Sequence, residues 1–502
     1  MKKFFVTTPI YYMNGEPHLG HYYSTTLADV FARYYSKTEN GSFFLTGTDE
    51  HGQKVADKAQ SLGKSPQIFV DELALSWQNL WDKLGLKYDF FIRTSNTKHK
   101  LFAQYILQKL KENYAIYEKK YDALYCVGAE SFVTKSELRE GGLCPDHDEE
   151  PQIISETNWF FKLSEYKLKV KELIEKDIIK IQPKSRKNET LELLMNDDLG
   201  DFSVTRQNVE WGILVPFAPD QTIYVWIDAL FNYMSAVVIS KNIDFEKLSI
   251  QELIQEISDI WTPDLHIIGK DILKFHAIYW PAFLLALGLD ENQLPKKILV
   301  TGMFVSEGRK MSKSLGNTIF PQDVITEFES LVGFERANEV LRFFVISEMK
   351  IGNDGDITLE RVKEIYEKEL ANKVGNTFSR VVGMAKKYDM LGERLNQENY
   401  HKFEIEISQI IDNYFEQSDI YSVSKFLLEK LAEIAREIEE IKPWELYKEN
   451  KLEELEKYLS KWLSLLEIYT EKFEIIMPNT AESMKKLIKA KEEGLSIFPK
   501  NI

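Results

Sequence analysis

The sequence has little cysteine, no long hydrophobic run and no excess of positive charge. Two cysteines in 502 residues exclude a disulfide-stabilised secreted scaffold and fit a reducing compartment. The longest apolar stretch, around residues 280–289, is much shorter than the ~20 residues of a membrane-spanning helix. The net charge of -16 at pH 7 argues against a protein that mainly coats nucleic acid. These absences predict a cytoplasmic protein with no membrane association.

The chain has ample material for a large core. Hydrophobic residues make up 44% and aromatic residues 13% of its 502 positions, and this length predicts two to four domains. The first residues, MKKFFVTTPIYYMNGEP, are interrupted by Thr7, Thr8, Pro9 and Asn14 before a hydrophobic region of export length develops. They are more typical of a buried strand.

The N-terminal segments have the order of a parallel α/β sheet. A β-rich segment at 4–6 precedes a turn and a helical pattern from about residue 18, and a second strand is predicted at 42–46. Strand-like segments at 223–229 (IYVWIDA) and 264–269 (DLHIIG) indicate that the sheet continues. The predicted fold is a doubly wound, Rossmann-type α/β sheet. The helix after the first strand carries one apolar stripe, formed by Leu19, Tyr23, Leu27, Val30, Phe31 and Tyr34.

Two later regions have residue patterns that differ from those of the sheet. Between residues 117 and 218, short β-like runs, glycine turns and both cysteines indicate an inserted domain. Beyond about residue 357 helical periodicity dominates, which predicts an all-α domain. Asn376 and Arg380 lie on the side of their helix opposite to an apolar stripe. That stripe consists of Val362, Ile365, Tyr366, Leu370, Val374, Phe378, Val381 and Ala385.

The tetrapeptide His18-Leu19-Gly20-His21 follows Pro17 at the start of the first predicted helix. The two imidazoles flank Gly20, where a flat ligand can approach the backbone. A helix N-terminus has unpaired N–H groups and a positive dipole end that suit a phosphate. The pattern predicts a nucleotide-binding site; the alternative is a histidine pair that only caps the helix.

A second motif, Lys310-Met311-Ser312-Lys313-Ser314, places two lysines and two hydroxyl groups in a short loop. Such a loop can hold a polyphosphate, and the alternative is a solvated basic loop. The presence of both motifs in one chain favours nucleotide chemistry.

These two motifs resemble the signatures of the class I aminoacyl-tRNA synthetases and occur in the order found in that family. Further segments resemble the methionyl members of the family, and the resemblance covers almost the whole chain. These segments are TTPIYYMNGEPHLGH, TGTDEHG (46–52), YVWIDAL (224–230) and IGKDILKFH (268–276).

The resemblance implies a domain organisation. It divides the chain into the first half of a Rossmann catalytic domain (1–116), an inserted connective domain (117–218), the second half of the catalytic domain (219–295), a loop and stem-contact region (296–356) and a helical anticodon-binding domain (357–502).

The resemblance also implies a two-step reaction. Methionine and ATP form methionyl-adenylate and pyrophosphate, and the methionyl group then passes to the terminal ribose of tRNA(Met). His18, His21, Lys310 and Lys313 are the implied catalytic residues, and Mg²⁺ accompanies ATP. The full implied ATP-binding set is His18, Gly20, His21, Lys310, Met311, Ser312, Lys313 and Ser314.

The implied methionine site is apolar and aromatic, with Asp49 as the carboxylate for the ammonium group. Aromatic rings favour a polarizable sulfur, by ~0.3 to 1.5 kcal/mol each. Leu230 and Tyr279 also match positions of this site, with plain core packing as the alternative. The set is Ile10, Tyr12, Asp49, Trp226, Ala229, Tyr233, Ile272, Phe275 and His276.

In the helical domain, the resemblance implies that four residues read the anticodon. They are Asn376 and Arg380, together with the Pro443-Trp444 pair. Hydrogen bonds and base stacking of this kind are usual for single-stranded loops.

The inserted domain departs from the pattern of many relatives, which carry a zinc knuckle there. Cys126, Cys144 and His147 are present, but Ala129 occupies the position of the expected second ligand. Three donors are one too few for a closed tetrahedral zinc site, unless a neighbouring Glu130 or Asp148 replaces the missing ligand, and no metal site is predicted. The insertion is also too short for a separate editing domain, and no dimerising segment follows the helical domain, so a monomer is expected.

Three alternatives remain at this point. A small nucleotidyltransferase such as a phosphopantetheine adenylyltransferase shares the histidine motif but lacks the lysine-serine loop and the helical domain. A synthetase-like tRNA-binding paralog without catalysis is expected to have damaged signatures. Cysteinyl-tRNA synthetase needs a catalytic zinc that this chain does not obviously provide.

Overall fold

A computed structural model gives the structure of the chain. It describes residues 2–128, 131–133, 138–145, 149–207, 209–306, 309–310, 318–489 and 497–500. Contacts divide the chain into two compact units, residues 1–16 with 35–301 and residues 17–34 with 302–502. In the part of the chain that the structure describes, every helix is too short or too polar to cross a bilayer.

The elements are numbered in chain order. The strands are β1 (Phe4–Thr7), β2 (Tyr11–Tyr12), β3 (Ser42–Asp49), β4 (Phe90–Arg93), β5 (Ile116–Cys126), β6 (Ser131–Val133), β7 (Gln152–Phe161), β8 (Lys180–Gln182), β9 (Phe202–Ser203), β10 (Thr205–Arg206), β11 (Leu214–Val215), β12 (Ala218–Ile223), β13 (Leu265–Gly269), β14 (Lys297–Thr301), β15 (Phe304–Ser306), β16 (Arg309–Lys310) and β17 (Gly355–Asp356). The helices are α1 (Leu19–Ser36), α2 (Gln53–Ser61), α3 (Pro66–Lys83), α4 (Thr97–Glu112), α5 (Leu163–Glu175), α6 (Lys184–Met195), α7 (Val225–Ser240), α8 (Ile250–Glu256), α9 (Trp280–Ala286), α10 (Pro321–Val332), α11 (Phe334–Ser347), α12 (Leu359–Ile365), α13 (Asn376–Lys387), α14 (Gln397–Glu416), α15 (Ile420–Ile441), α16 (Pro443–Lys448), α17 (Leu452–Ile476) and α18 (Pro478–Lys489). Short 3-10 segments lie at Lys270–Ile272 and Glu291–Gln293, and π-helical segments at Phe275–Tyr279 and Tyr366–Gly375.

The first unit is built on a parallel sheet. Its strand order is β2-β3-β1-β13-β14-β8, with β4 paired to β3, and all these pairs are parallel. Strand β1 is followed in the sheet by β3 on one side, and β13 is followed by β14 on the opposite side. The direction of strand addition therefore reverses between β1 and β13. The predicted doubly wound α/β fold is confirmed, and its switch point marks the edge where such sheets bind ligands.

The region between the two halves of this sheet forms smaller antiparallel sheets. One has the order β6-β5-β7-β9 and the other β10-β12-β11, in keeping with the short β-like runs of the sequence. Within the same region β8 pairs in parallel with β14. The predicted inserted range 117–218 therefore also supplies an edge strand to the main sheet.

The strand predicted at residues 223–229 is wrong. Strand β12 ends at Ile223, and helix α7 begins at Val225. Most of α7 is buried, including polar residues such as Asp228 and Asn232. A helix buried on all sides has no polar face to mark its 3.6-residue period, so its β-branched and aromatic residues resemble a strand.

The second unit combines α1 with the C-terminal half of the chain. The Tyr22 hydroxyl donates to Asn338 Oδ1 on α11 at 3.1 Å, and Tyr34 stacks on Phe415 of α14 with ring centroids 3.8 Å apart. Helices α12 to α18 and the π-helical segment at 366–375 confirm the predicted all-α region. The apolar stripe predicted from Val362 to Ala385 is buried throughout.

A buried ion pair holds α1 to α11. Arg342 Nη2 lies 2.5 Å from Asp29 Oδ2, and Arg342 Nε donates to the carbonyl of Ile476 at 2.6 Å. Both charged side chains are at most 2% exposed. Glu339, also buried, accepts the backbone N–H of Thr480 at 2.9 Å. Helix α1 is therefore fixed to α11, the helix that also bonds to the end of α17 and the start of α18.

We expect Arg342→Met to lower the free energy of unfolding by about 1.5 to 3 kcal/mol, because it removes one of the two cations that bind the buried Asp29 carboxylate, the other being Arg33. Arg361→Met is a matched control, since Arg361 is 43% exposed and its partners Glu348 and Glu364 are 17% and 50% exposed, so neither is fully buried. That change should cost less than about 1 kcal/mol. Urea unfolding followed by circular dichroism measures both, and equal losses would contradict the assignment.

Candidate active site

The predicted nucleotide-binding motif forms a reciprocal cap at the start of α1. His18 Nδ1 accepts the backbone N–H of Gly20 at 3.0 Å, and His21 Nδ1 accepts the backbone N–H of His18 at 3.1 Å. The two rings stack with centroids 3.7 Å apart. The pattern resembles a capping box with two imidazoles, except that the side chain of His18 caps the second helical N–H and not the third. Because each Nδ1 accepts, each neutral ring has its N–H at Nε2, which gives both rings a donor atom.

Gly20 is required by the ring of His18. A Cβ atom at this position would lie 2.9 Å from His18 Cε1 and 3.1 Å from His18 Nδ1, which is closer than carbon atoms pack. The sequence predicts that this glycine leaves room for a ligand. The structure adds a second reason, because the glycine also lets His18 fold back onto the helix.

The lysine-serine loop falls largely outside the described residues. Strand β16 ends at Lys310 and pairs antiparallel with β15, so this backbone leads from a hairpin into the loop. The side chain of Lys310 and all of Met311, Ser312, Lys313 and Ser314 lie outside what the structure describes.

The carboxyl ends of β1 and β3 place the first part of the predicted methionine site. Tyr12 of β2 pairs with Asp49, the last residue of β3, and the backbone N–H of Met13 donates to the Asp49 carbonyl at 3.1 Å. Ile10 packs against the main core of the unit. These three predicted residues therefore lie at the ligand-binding edge of the parallel sheet.

The turn after Asp49 is held by Glu50, which is wholly buried. Its carboxylate accepts from Thr48 Oγ1 at 2.6 Å and from Arg93 Nε at 2.7 Å, and it also accepts from the Ser95 hydroxyl. The indole Nε1 of Trp211 donates to the Glu50 carbonyl at 2.5 Å. These bonds fix the backbone directly beside Asp49.

Helix α7 and the π-helical segment at 275–279 bring together the aromatic part of the site. Trp226 and Phe275 stack with centroids 3.5 Å apart and an angle of 4° between the ring planes. Trp226, Ala229 and Tyr233 share one face of α7, at i, i+3 and i+7. Trp226 and Phe275 are partly exposed, whereas Ala229 and Tyr233 are buried. The cluster thus has a closed inner end and an accessible outer end.

The inner end contains a defined proton arrangement. His276 Nδ1 lies 3.0 Å from the carbonyl of Ile272, and His276 Nε2 lies 2.7 Å from the Tyr233 hydroxyl. A carbonyl only accepts, so Nδ1 carries the proton and Nε2 accepts from Tyr233. Burial lowers the pKa of His276 to about 4 and raises that of Tyr233, so both groups are neutral at pH 7. The predicted residues Ile272, His276 and Tyr233 are therefore directly linked.

Sequence reasoning missed two residues beside this pair. His266 on β13 lies with its ring centroid 4.4 Å from that of Tyr233, and its Nδ1 is 2.6 Å from Thr7 Oγ1 on β1. The signal was available in principle, because both residues belong to adjacent strands of a parallel sheet. Leu230 is buried in the main core, and Tyr279 stacks on Phe202 at 4.0 Å within it.

The neutral state of His276 predicts a dependence of stability on pH. Its pKa is about 4 in the folded protein and near the ordinary 6.5 in the unfolded chain, so between these values the unfolded state binds more protons. The contribution of His276 is complete above about pH 6.5 and is lost as the pH falls towards 4, a total of about 3 kcal/mol. Urea unfolding at pH 7 and pH 4.5 should show a smaller loss for His276→Gln than for the unchanged protein. Identical losses would contradict this interpretation.

The four predicted anticodon-binding residues lie on α13 and α16, and helix α15 connects these two helices. Asn376 and Arg380 are on α13, both partly exposed, and Arg380 Nη2 lies 2.6 Å from Glu439 Oε1 near the end of α15. Lys442, at a φ of 51°, joins α15 to α16. Helix α16 begins with Pro443, which is buried, and Trp444, which is partly exposed.

The cysteines of the inserted region lie in an apolar environment. Cys126 and Cys144 are buried, unbonded to each other, and packed in one cluster with Val133. Ala129 and His147 lie outside the described residues. Among the residues that are described, no group of three or more histidine, cysteine or acidic side chains could hold a metal ion.

Comparison with known proteins gives a consistent result. The sequence matches the family model described as tRNA synthetases class I (M) over residues 4–152 and 147–382. It is 37% identical over 501 residues to the methionine–tRNA ligase of Thermotoga maritima, covering 98% of this chain and 76% of that protein. It is 34% identical over 492 residues to that of a Nostoc species, covering 96% and 89%. The solved Mycobacterium tuberculosis methionyl-tRNA synthetase in complex with methionyl-adenylate matches the structure with a TM-score of 0.86 and 27% identity over the full length of both chains.

Proposed function

The chain belongs to the methionyl-tRNA synthetases of class I, and we propose how its own residues carry out methionine activation and transfer. Family membership supplies the overall reaction, the ligation of methionine to tRNA at the expense of ATP. The proposal concerns the role of each side chain in that reaction.

Methionine binds in the aromatic cluster of the first unit. Trp226, Phe275 and Tyr233 offer ring surfaces to the side chain, and each ring contact with sulfur favours binding by ~0.3 to 1.5 kcal/mol. The Asp49 carboxylate binds the ammonium group, which leaves the carboxylate of methionine as the nucleophile. The observation that carries this assignment is the hydrogen bond from Tyr233 to neutral His276, because it gives an uncharged inner end that suits a thioether. Ile10, Tyr12, Ala229 and Ile272 supply the remaining lining.

ATP binds at the start of α1. The Nε2–H groups of His18 and His21 donate to phosphate oxygens, and the dipole of α1 adds to the stabilisation of negative charge. Lys310 and Lys313 neutralise the departing polyphosphate, with Met311, Ser312 and Ser314 completing the loop. Mg²⁺ enters with ATP as part of the substrate.

The chemistry then proceeds in two balanced steps. A carboxylate oxygen of methionine attacks the α-phosphorus, the bond from this phosphorus to the bridging oxygen breaks, and pyrophosphate leaves. In the second step a hydroxyl of the terminal ribose of tRNA attacks the carbonyl carbon, its proton is lost, and AMP leaves. The side chains act by orienting the groups and stabilising charge at phosphorus.

The helical region supplies recognition of tRNA(Met). Asn376 and Arg380 hydrogen-bond to anticodon bases, and Trp444, fixed by Pro443 at the start of α16, stacks on one of them. The contact between Arg380 and Glu439 supports this grouping, because it joins α13 to the helix that leads into α16. We further propose that the protein acts in the cytoplasm and as a monomer, and sedimentation velocity tests the latter.

ATP–pyrophosphate exchange with each of the twenty amino acids tests the activation step. Exchange that depends on methionine alone is expected. Norleucine, which replaces the sulfur by a methylene group, should be used with a kcat/KM several-fold lower, and Tyr233→Phe should reduce that preference. Exchange with another amino acid would overturn the pocket assignment. No exchange, together with retained tRNA binding, would identify a non-catalytic tRNA-binding paralog.

A further inference from the structure

A buried carboxylate on α7 accepts hydrogen bonds from two histidines that have no part in the proposed reaction. Asp228 Oδ2 lies 2.6 Å from His51 Nδ1, and Asp228 Oδ1 lies 2.6 Å from His99 Nε2. None of the three side chains is more than 3% exposed. They are 177 and 129 positions apart along the chain, so the fold alone brings them together.

The network continues from His99 back to α7. His99 Nδ1 lies 2.6 Å from the Ser235 hydroxyl, which in turn lies 3.2 Å from the Asn232 carbonyl. Because the carboxylate of Asp228 only accepts, His99 Nε2 carries a proton. His99 thus bonds to α7 at two points, the Asp228 carboxylate and the Ser235 hydroxyl.

Asp228 is ionised in this environment. Burial alone would raise the pKa of its carboxyl, but the imidazoles of His51 and His99 outweigh burial and lower the pKa to about 2. A buried carboxylate with both oxygens hydrogen-bonded is costly to disturb, because removing one partner leaves charge without compensation. The arrangement is therefore rigid.

Serine, histidine and aspartate in a hydrogen-bonded row also occur in hydrolases. The Ser235 side chain is wholly buried, so no substrate reaches its hydroxyl. The row therefore has a structural role, and its position indicates that it holds α7 in place.

The row acts as a clamp on the face of α7 that lies opposite to the methionine-binding residues. Asp228 and Ser235 are seven residues apart and so share one face of α7. Trp226 and Tyr233, also seven apart, lie about 200° away around the helix axis. A rotation of α7 would move both faces together, so bonds on the Asp228 face fix the direction of the Trp226 and Tyr233 side chains.

The second histidine links the clamp to the ammonium-binding turn. His51 follows Asp49 by two residues, and its ring centroid lies 5.3 Å from that of Trp211, whose indole donates to the Glu50 carbonyl. One carboxylate thus joins helix α4, which carries His99, to α7 and to the turn after β3.

We infer that Asp228, His51 and His99 are positioning residues that set the geometry of the methionine site by locking α7 against α4 and against the turn that carries Asp49. The inference rests on the proposed methionine site. It predicts that the network controls methionine binding and leaves ATP binding unchanged.

The test uses four variants of the full chain. His99→Leu removes both bonds of the imidazole at similar volume, and His99→Gln restores a donor for Asp228 and a polar atom for Ser235. Ser235→Ala is a milder change in case His99→Leu does not fold. Val237→Ala is the control, because Val237 is a buried core residue of the same helix without a part in the network. KM for methionine and for ATP is measured by pyrophosphate exchange, Kd for methionine by calorimetry and Tm by thermal unfolding.

We expect His99→Leu to raise KM and Kd for methionine at least tenfold and Ser235→Ala two- to fivefold, with KM for ATP changed less than twofold. His99→Gln should stay within threefold of the unchanged protein, and Val237→Ala should lower Tm without altering KM. Proportional rises in both KM values, a fall in Tm alone, or no rescue by His99→Gln would overturn the inference. If the unchanged protein binds no methionine, the proposed site itself fails; if it binds and the variants bind equally well, only this inference fails.

Discussion

Replacing His21 by alanine is expected to slow methionine-dependent pyrophosphate exchange by a factor of about 100 to 1,000, the usual effect of removing one donor to a developing negative charge. The substitution also removes the Nδ1 acceptor that caps the backbone N–H of His18. Losing a cap costs about 1 kcal/mol of stability. The rate is measured by single-turnover adenylate formation and the stability by urea unfolding.

The two roles of His21 are separated by His21→Gln. Glutamine is a natural residue at this position of a capping box, so its amide oxygen can accept the His18 N–H and stability should return. The exchange rate should stay low, because the amide does not place a donor where imidazole Nε2 lies. Recovery of both stability and rate would show that the imidazole only caps the helix.

Asp49→Asn is expected to raise KM for methionine by roughly 10- to 100-fold, because hydrogen bonds to charged groups contribute about 1.5 to 3 kcal/mol. Asp49 is the last residue of β3 and is paired with Tyr12, so asparagine keeps the shape of the site and removes only the charge. KM for ATP should change little. Pyrophosphate exchange at varied methionine and ATP concentrations measures both.

Asp71→Asn is the matched control for this change. Asp71 is 49% exposed and pairs with Arg93, which also binds Glu50 beside the site. Its loss should leave KM for methionine within about twofold. An equal effect of both substitutions would mean that the charge of Asp49 acts through the surrounding ion pairs and not on the ammonium group.

The sequence was most informative where function is carried by short motifs and by helices with one buried face. The histidine tetrapeptide lies at the start of α1 as predicted, and the apolar stripe from Val362 to Ala385 is buried. Both signals are local, because the residues concerned are three or four positions apart. The parallel sheet was also predictable from the order of strand, turn and helix.

Other features depend on contacts that no local pattern reveals. Helix α7 is buried on most of its surface, so its sequence lacks a helical period and resembles that of a strand. His51 and Asp228 lie within the segments TGTDEHG and YVWIDAL, yet nothing in those segments indicates that they meet. His99 is farther still from any motif. Burial and pairing over such distances are properties of the folded chain.

Helix α1 is synthesised early, but the residues it packs against are synthesised late. Tyr22 and its partner Asn338 are 316 positions apart, and Tyr34 and Asp412 are 378 apart. At translation rates of about 5 to 20 residues per second, the ribosome needs roughly 15 to 65 s after Tyr22 to synthesise Asn338. One of the first helices to be synthesised is therefore among the last to reach its native packing. During that interval the histidine pair lies on a nascent helix without the partners that fix it, so the proposed nucleotide site at α1 can form fully only after these later residues have been synthesised.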